Sequence, residues 1–333
     1  GLGDVYKRQI RITGGSAVIP ENHIRQSDMI VTAMMEGSAP NILKYIDQEP
    51  LRLMRGFAYS PDTILGNFDG TVRLQFPRLG ELPFNRISTQ VDAQISDFVL
   101  TKPVAGYRLD ANRLKLKATN EQIYVKGEAR INTVPVSVEW SEKMKNKGIN
   151  NNELITIINI SAEVNETHLA ALNLDFLSSR IRGYVQADVT LSGSLNNFTL
   201  LEVTADLSKA KASFSPLNHI KPVNTPGMIK VRTDYGDKGR VKGALLDIDL
   251  ADFSTQVEFT YDDYITDLKI SPFVVKDKYN FSLSFGENKD RYEILLQGKD
   301  FDISALTKPI DFGLPDGVLS TEKKGQSPFD WVN

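Results

Sequence analysis

The chain has 333 residues, a formal charge of −3 and no cysteine. Its 39 lysines and arginines are dispersed instead of clustered, which leaves no footprint for nucleic acid, and the missing cysteine excludes disulfides, thiolate catalysis and zinc–thiolate sites. The longest apolar run, Leu154 to Ile160, is interrupted by Thr156 and Asn159 and falls far short of the roughly 20 residues of a membrane-spanning helix; no signal peptide is visible.

Asp4 to Gln9 reads DVYKRQ, which back-translates to GATGTGTATAAGAGACAG, a transposon end used to build sequencing libraries. Residues 1–9 are therefore expected to be adapter read-through. Residues 10–333 are expected to be one continuous segment of a longer protein, in sub-repeats of roughly 10–165 and 166–333.

From Ile10 to Ile19 the pattern is that of a strand, with Gly14-Gly15 permitting a bulge, and Met29 to Met35 is a second strand. Ser38 and Pro40 before NILKYIDQ predict a short capped helix. Strands follow at Gly66 to Phe76, Ile87 to Phe98, Tyr107 to Asp110 and Arg113 to Ala118. Between Ile123 and Trp140 the alternation is strong: Ile123, Val125, Ala129 and Ile131 oppose Tyr124, Lys126, Glu128 and Arg130. After a break at Thr133 to Pro135, Val136, Val138 and Trp140 oppose Ser137 and Glu139, a two-residue period that predicts a hairpin with one apolar face.

The polar stretch SEKMKNKGINNNE after Trp140 predicts an exposed loop, and the phase change at Ile157-Ile158 predicts a bulge in the next strand. NETHLAALNLDF, Asn165 to Phe176, predicts one short helix. It leads into a long alternating strand, in which Ile181, Gly183, Val185, Ala187, Val189, Leu191 and Gly193 form one side. Further strands are predicted at 201–207, 210–214, 228–233, 240–250, 255–261, 266–270, 279–285 and 292–296. The pattern apolar-x-Gly-x recurs at Gly127, Gly193, Gly243 and Gly298, and ISDFVL at Ile95 is echoed by LADFST at Leu250. The fold class expected is mostly β: an elongated, twisted antiparallel sheet with one or two short helices.

No constellation suited to catalysis emerges. His23, His168 and His219 lie on different elements, Asp247 and Asp249 alternate with Leu246, Ile248 and Leu250 on a strand's wet side, and Asp262-Asp263 marks a turn. DYGDKG, Asp234 to Gly239, lacks the ligand spacing of an EF-hand and reads as a hairpin turn. An enzyme is not expected, nor a metal or cofactor.

VKGEARINTVPVSVEW, with Gly127, Pro135 and Trp140, followed by DLSKAKASFSPLNHIKP, resembles the central region of the AsmA-like bacterial envelope family, of the YhdP and TamB type. APNILKYIDQEPL and GTVRLQFPRL share that look, so the likeness covers Ala39 to about Gly243. Where the family pattern has Gly-x-Pro near the hairpin, this chain has Asn132-Thr133-Val134-Pro135, and His219 stands where an aromatic is more usual.

The resemblance implies a repeating β-groove in the periplasm, anchored in the inner membrane by a segment outside this chain, that helps phospholipids move between the inner and outer membranes. The partners it implies are phospholipid acyl chains and inner- and outer-membrane proteins. The residues expected to line the groove are Ile123, Val125, Ala129, Ile131, Val136, Val138, Trp140, Val185, Ala187, Val189 and Leu191, with small residues such as Ala129, Gly183 and Ala187 leaving room for lipid. The alternative is a scaffold or chaperone-like module that assists outer-membrane protein assembly by pairing client strands with a sheet edge.

Overall fold

A computed structural model describes residues 10–20, 27–46, 60–79, 86–104, 107–143, 156–194, 197–214, 219–236, 239–288 and 291–300. The expected read-through at residues 1–9 lies outside them. The chain divides into two compact units, residues 1–158 with 194–196, and residues 159–193 with 197–333.

The first unit is an up-and-down meander. Its strands are β1 (Arg11–Val18), β2 (Asp28–Ser38), β3 (Ile64–Pro77), β4 (Ser88–Val104), β5 (Tyr107–Thr119), β6 (Gln122–Ile131) and β7 (Val134–Lys143), with helix α1 (Ala39–Ile46) and a 3-10 turn (Pro61–Thr63) between β2 and β3. Each strand pairs antiparallel with the next. The bulge expected at Gly14-Gly15 is present as a register shift between Ile12 and Gly14.

Two local readings need correction. The segments read as separate strands at Tyr107 to Asp110 and Arg113 to Ala118 are the single strand β5, which stays paired with β6 across a bulge between Asp110 and Arg113. The hairpin turns at Asn132-Thr133, not at Thr133 to Pro135, and Val134 and Pro135 already pair with Ile131 and Arg130. Asn132 takes a positive φ of 54° there. Its N–H donates to the Arg108 carbonyl at 2.7 Å and its Oδ1 accepts from the Arg108 N–H at 2.9 Å, which ties the turn to β5.

Strand β8 (Thr156–Val164) begins in the first unit and ends in the second. The second unit continues with helices α2 (Glu166–Ala171) and α3 (Asp175–Ser178), then β9 (Ile181–Gly183), β10 (Val185–Ser194), β11 (Asn197–Asp206), β12 (Ala210–Phe214), β13 (His219–Lys221), β14 (Gly227–Tyr235), β15 (Val241–Leu250), β16 (Phe253–Asp262), β17 (Tyr264–Val275), β18 (Tyr279–Asn288) and β19 (Arg291–Asp300). Among the described residues, sixteen strands form one sheet in the order β1 to β8, β10, β11 and β14 to β19, and β13, β12 and β9 form a second, smaller one.

The one helix expected at Asn165 to Phe176 is two. Asn165 caps α2 by accepting from the His168 N–H at 3.0 Å, and Asn173, at φ 59°, ends the turn before α3. The long strand expected from Ile181 to Gly193 is divided between the two sheets. Gly183 at φ 108° redirects the chain, so that Ile181 to Gly183 pair with β12 while Val185 onward joins the large sheet. The ISDF and LADF segments are not equivalent either: Asp97 sits inside β4 at φ 51°, whereas Ala251 and Asp252 form the turn between β15 and β16.

The small sheet closes around Lys221. This side chain is 1% exposed, and its Nζ donates to the carbonyls of Leu207, Ala210 and Pro222 at 2.8, 3.0 and 3.0 Å. Leu207 and Ala210 are fully buried beside it. Burial lowers the Lys221 ammonium from its usual value, opposed by the charge of Asp206.

Candidate functional site

Alternation and register gather the apolar residues of the first unit on one face. Ile123, Val125, Ala129 and Ile131 of β6 lie opposite Glu142, Trp140, Val136 and Val134 of β7, with Gly127 opposite Val138. On the other flank, Ala118, Leu116 and Leu114 of β5 stand beside Ile123, Val125 and Gly127, and they face Val91, Ala93 and Ile95 of β4 in turn. The row continues through Val72, Gly70 and Phe68 of β3 to Ala33, Met35 and Gly37 of β2. Helix α1 covers that end, where Ile42 packs on Phe68 and Ala93.

Burial varies along the hairpin. Val125, Ala129, Val134 and Val136 are buried, while Ile123, Ile131, Val138 and Trp140 are half-buried. The opposite side is charged. Lys126 pairs with Glu139 directly across the strands, Lys117 lies 4.0 Å from Asp92, and Arg130 donates to Asp110 Oδ2 through Nε at 2.9 Å and Nη2 at 2.6 Å. Charges of both signs on one side and aliphatic groups on the other keep the sheet's orientation toward water unambiguous.

In the second unit, Val185, Ala187, Val189 and Leu191 share one side of β10, with Val185 buried and the others half-buried. A second apolar row runs through Val203, Val231, Leu246, Val257 and Ile270 of β11 and β14 to β17. The Phe253 end of this face is closed by the small sheet. Ring centroids of Phe214 and His219 lie 5.3 and 5.8 Å from Phe253, which meets Phe273 at 5.4 Å, and Phe273 stacks on Phe281 at 4.6 Å. These aromatics pack a core. Asp247 and Asp249 stand on the polar side, where with Lys230, Ser254 and Gln256 they line an open depression of about 270 Å³.

Gly183, expected to leave room for lipid, does not. A Cβ there would lie 2.7 Å from the Lys209 carbonyl oxygen of the adjoining loop, so the space is already filled. Gly127 is equally crowded, by the Arg113 carbonyl oxygen at 2.6 Å and Leu114 Cδ2 at 2.9 Å. At both positions the missing side chain lets neighbouring backbone approach.

The loop expected directly after Trp140 is strand at its start, because β7 runs on through Lys143, and the remainder of that stretch lies outside the described residues. Glu142 is therefore a strand residue on the apolar face, only 5% exposed, and its Oε2 is buried with no hydrogen-bond partner among the described residues. Burial raises its carboxyl above the usual glutamate value. Thr156, the first residue of β8, is fully buried, and its Oγ1 likewise has no partner among the described residues. The signal for Glu142 was in the sequence: it is two residues beyond Trp140, in phase with Val136 and Val138.

No family model, curated protein or solved structure matches the chain. Among the described residues no helix is long and apolar enough to cross a membrane.

Proposed function

We propose that the apolar face of β2 to β7 carries phospholipid acyl chains, within an AsmA-like envelope protein that lies in the periplasm, is anchored in the inner membrane through a part outside this chain, and passes lipid between inner and outer membranes. One observation carries the reading. The row Met35, Gly70, Ala93, Leu116, Val125 and Trp140 runs in register across six strands, and Ile123, Ile131, Val138 and Trp140 on the same face remain half-buried.

The chemistry of the cargo fits such a face. Taking a two-chain phospholipid out of a bilayer exposes about 30 methylenes, at roughly 0.8 kcal/mol each, a cost on the order of 20 kcal/mol that no carrier meets in water. An aliphatic strip backed by ion pairs keeps the chains dry while the protein stays hydrated on its other side. Passage needs a level free-energy path, not tight binding, and the aliphatic strip from Val134 to Trp140 supplies one.

Mass spectrometry of lipids retained by the purified protein tests this. Wild type should carry phospholipid, and Val138→Asp or Ile131→Asp, both at half-buried positions, should carry several-fold less while keeping the β-sheet circular dichroism. Lipid-free wild type, or undiminished lipid in both variants, would overturn the proposal. Cross-linking to nascent outer-membrane strands without any retained lipid would favour the scaffold reading instead.

A further inference from the structure

Glu142 is the polar end of an otherwise apolar series on β7, after Val134, Val136, Val138 and Trp140, and its partner across the hairpin is Ile123. Ile123 is the second residue of β6 and Glu142 the last but one of β7, so the carboxylate stands at the margin of the apolar face, at one end of the strands. Next to β7 in the sheet is β8, whose first residue, Thr156, is fully buried. Burial along β8 places Thr156 on the same side as Val164, opposite the exposed Asn159, Ser161 and Glu163. Glu142 Oε2 and Thr156 Oγ1, on these neighbouring strands, are each buried and have no hydrogen-bond partner among the described residues.

A buried carboxylate oxygen with no donor costs free energy, and selection for stability alone would replace it with an aliphatic group. What it lacks is a hydrogen-bond donor, preferably one with the opposite charge. An acyl chain lying along Val136 to Trp140 would bring its head group to this margin.

We propose that Glu142 and Thr156 form the head-group seat of the apolar face, and that it takes a primary ammonium, as borne by an aminophospholipid. This rests on the acyl-chain reading above. The ammonium supplies up to three donors and the counter-charge together. A quaternary ammonium has the charge without an N–H, and a glycerol head has donors without the charge, so each satisfies the pair only in part.

The test is competition. Purified protein is incubated with vesicles containing equal amounts of phosphatidylethanolamine, phosphatidylcholine and phosphatidylglycerol with identical chains, and the retained lipid is measured by mass spectrometry. Wild type should retain phosphatidylethanolamine about tenfold over the other two, the factor expected of one charge-assisted hydrogen bond. Glu142→Gln, which keeps size and shape, should bring the ratios close to one without lowering the total retained, and Thr156→Val should lower them a few-fold. Equal retention of the three lipids by wild type, or an unchanged preference in Glu142→Gln, would overturn the seat while leaving the acyl-chain reading standing. Wild type that retains no lipid would overturn both. The comparison among lipids on wild type needs no variant to fold.

Discussion

Lys221 Nζ lies 2.8 Å from the carbonyl oxygen of Leu207, and this bond ties the end of the small sheet to the turn that leads into it. The lysine's stem occupies the space in front of Gly227, whose N-terminal position on β14 is held by the Leu207 N–H donating to the Gly227 carbonyl at 2.8 Å. A Cβ on Gly227 would collide with Lys221 Cε and come within 2.9 Å of Leu250 Cδ2. Gly227→Ala should therefore cost about 2 kcal/mol. In a Lys221→Ala background the same change should cost at least about 1 kcal/mol less, which urea denaturation of the four proteins in a double-mutant cycle will measure. Equal costs in both backgrounds would mean that the two residues do not compete for that space.

Glu142 gives stability a pH dependence of predictable sign. Its carboxyl is raised in the folded state by burial, so between the ordinary glutamate value and the raised one the unfolded chain is ionised while the folded chain holds its proton. Native stability falls as pH rises through that window, and below it the effect vanishes because both states are protonated. Glu142→Gln removes the effect. Relative to wild type, the variant should gain stability on going from about pH 4 to about pH 8, as read by urea midpoints at the two values. A wild-type-minus-variant difference that is the same at both pH values would exclude a buried carboxyl with a raised value.

Glycines in this sheet should separate into two classes. Gly127 and Gly243 each face a carbonyl oxygen of the adjoining strand, Arg113 at 2.6 Å and Phe259 at 2.7 Å, measured from where a Cβ would sit. Alanine at either should cost about 2 kcal/mol, because backbone must move to admit it. At Gly14 the nearest atom is Met34 Sδ at 3.5 Å, an ordinary contact, and alanine there should be neutral or stabilising by about 0.5 kcal/mol through the unfolded state. Thermal melts of the three single variants test the ranking.

The recurring apolar-x-Gly-x pattern was visible as a sequence echo, and its cause is local. Gly127 stands next to the bulge between Asp110 and Arg113, and Gly243 next to the register shift at Asp234 and Tyr235. At such points the strands are bent and the neighbouring backbone comes close, so a side chain would be in the way. Strand interiors were legible for the same kind of reason: the alternation of Lys115, Lys117, Arg130 and Glu139 with Leu114, Leu116, Ala129 and Val138 is written residue by residue. Glu142 is hidden in the sequence because the polar stretch after Trp140, with its glycine and three consecutive asparagines, has the composition of a loop although Glu142 keeps the phase of the strand.

What the sequence determined by itself is the β class, the identity of most strands and which residues share a side, because a two-residue period depends only on the chain's own order. Tertiary structure alone decided which sheet a strand joins and what stands over each face. Nothing in the unbroken alternation from Ile181 to Gly193 foretells that its first three residues leave for β12 at Gly183, or that Phe214 and His219 close over Phe253. The reason is that hydrogen-bond partners and covering layers come from residues distant in the chain, and a strand's own pattern says that it needs a neighbour without saying which one.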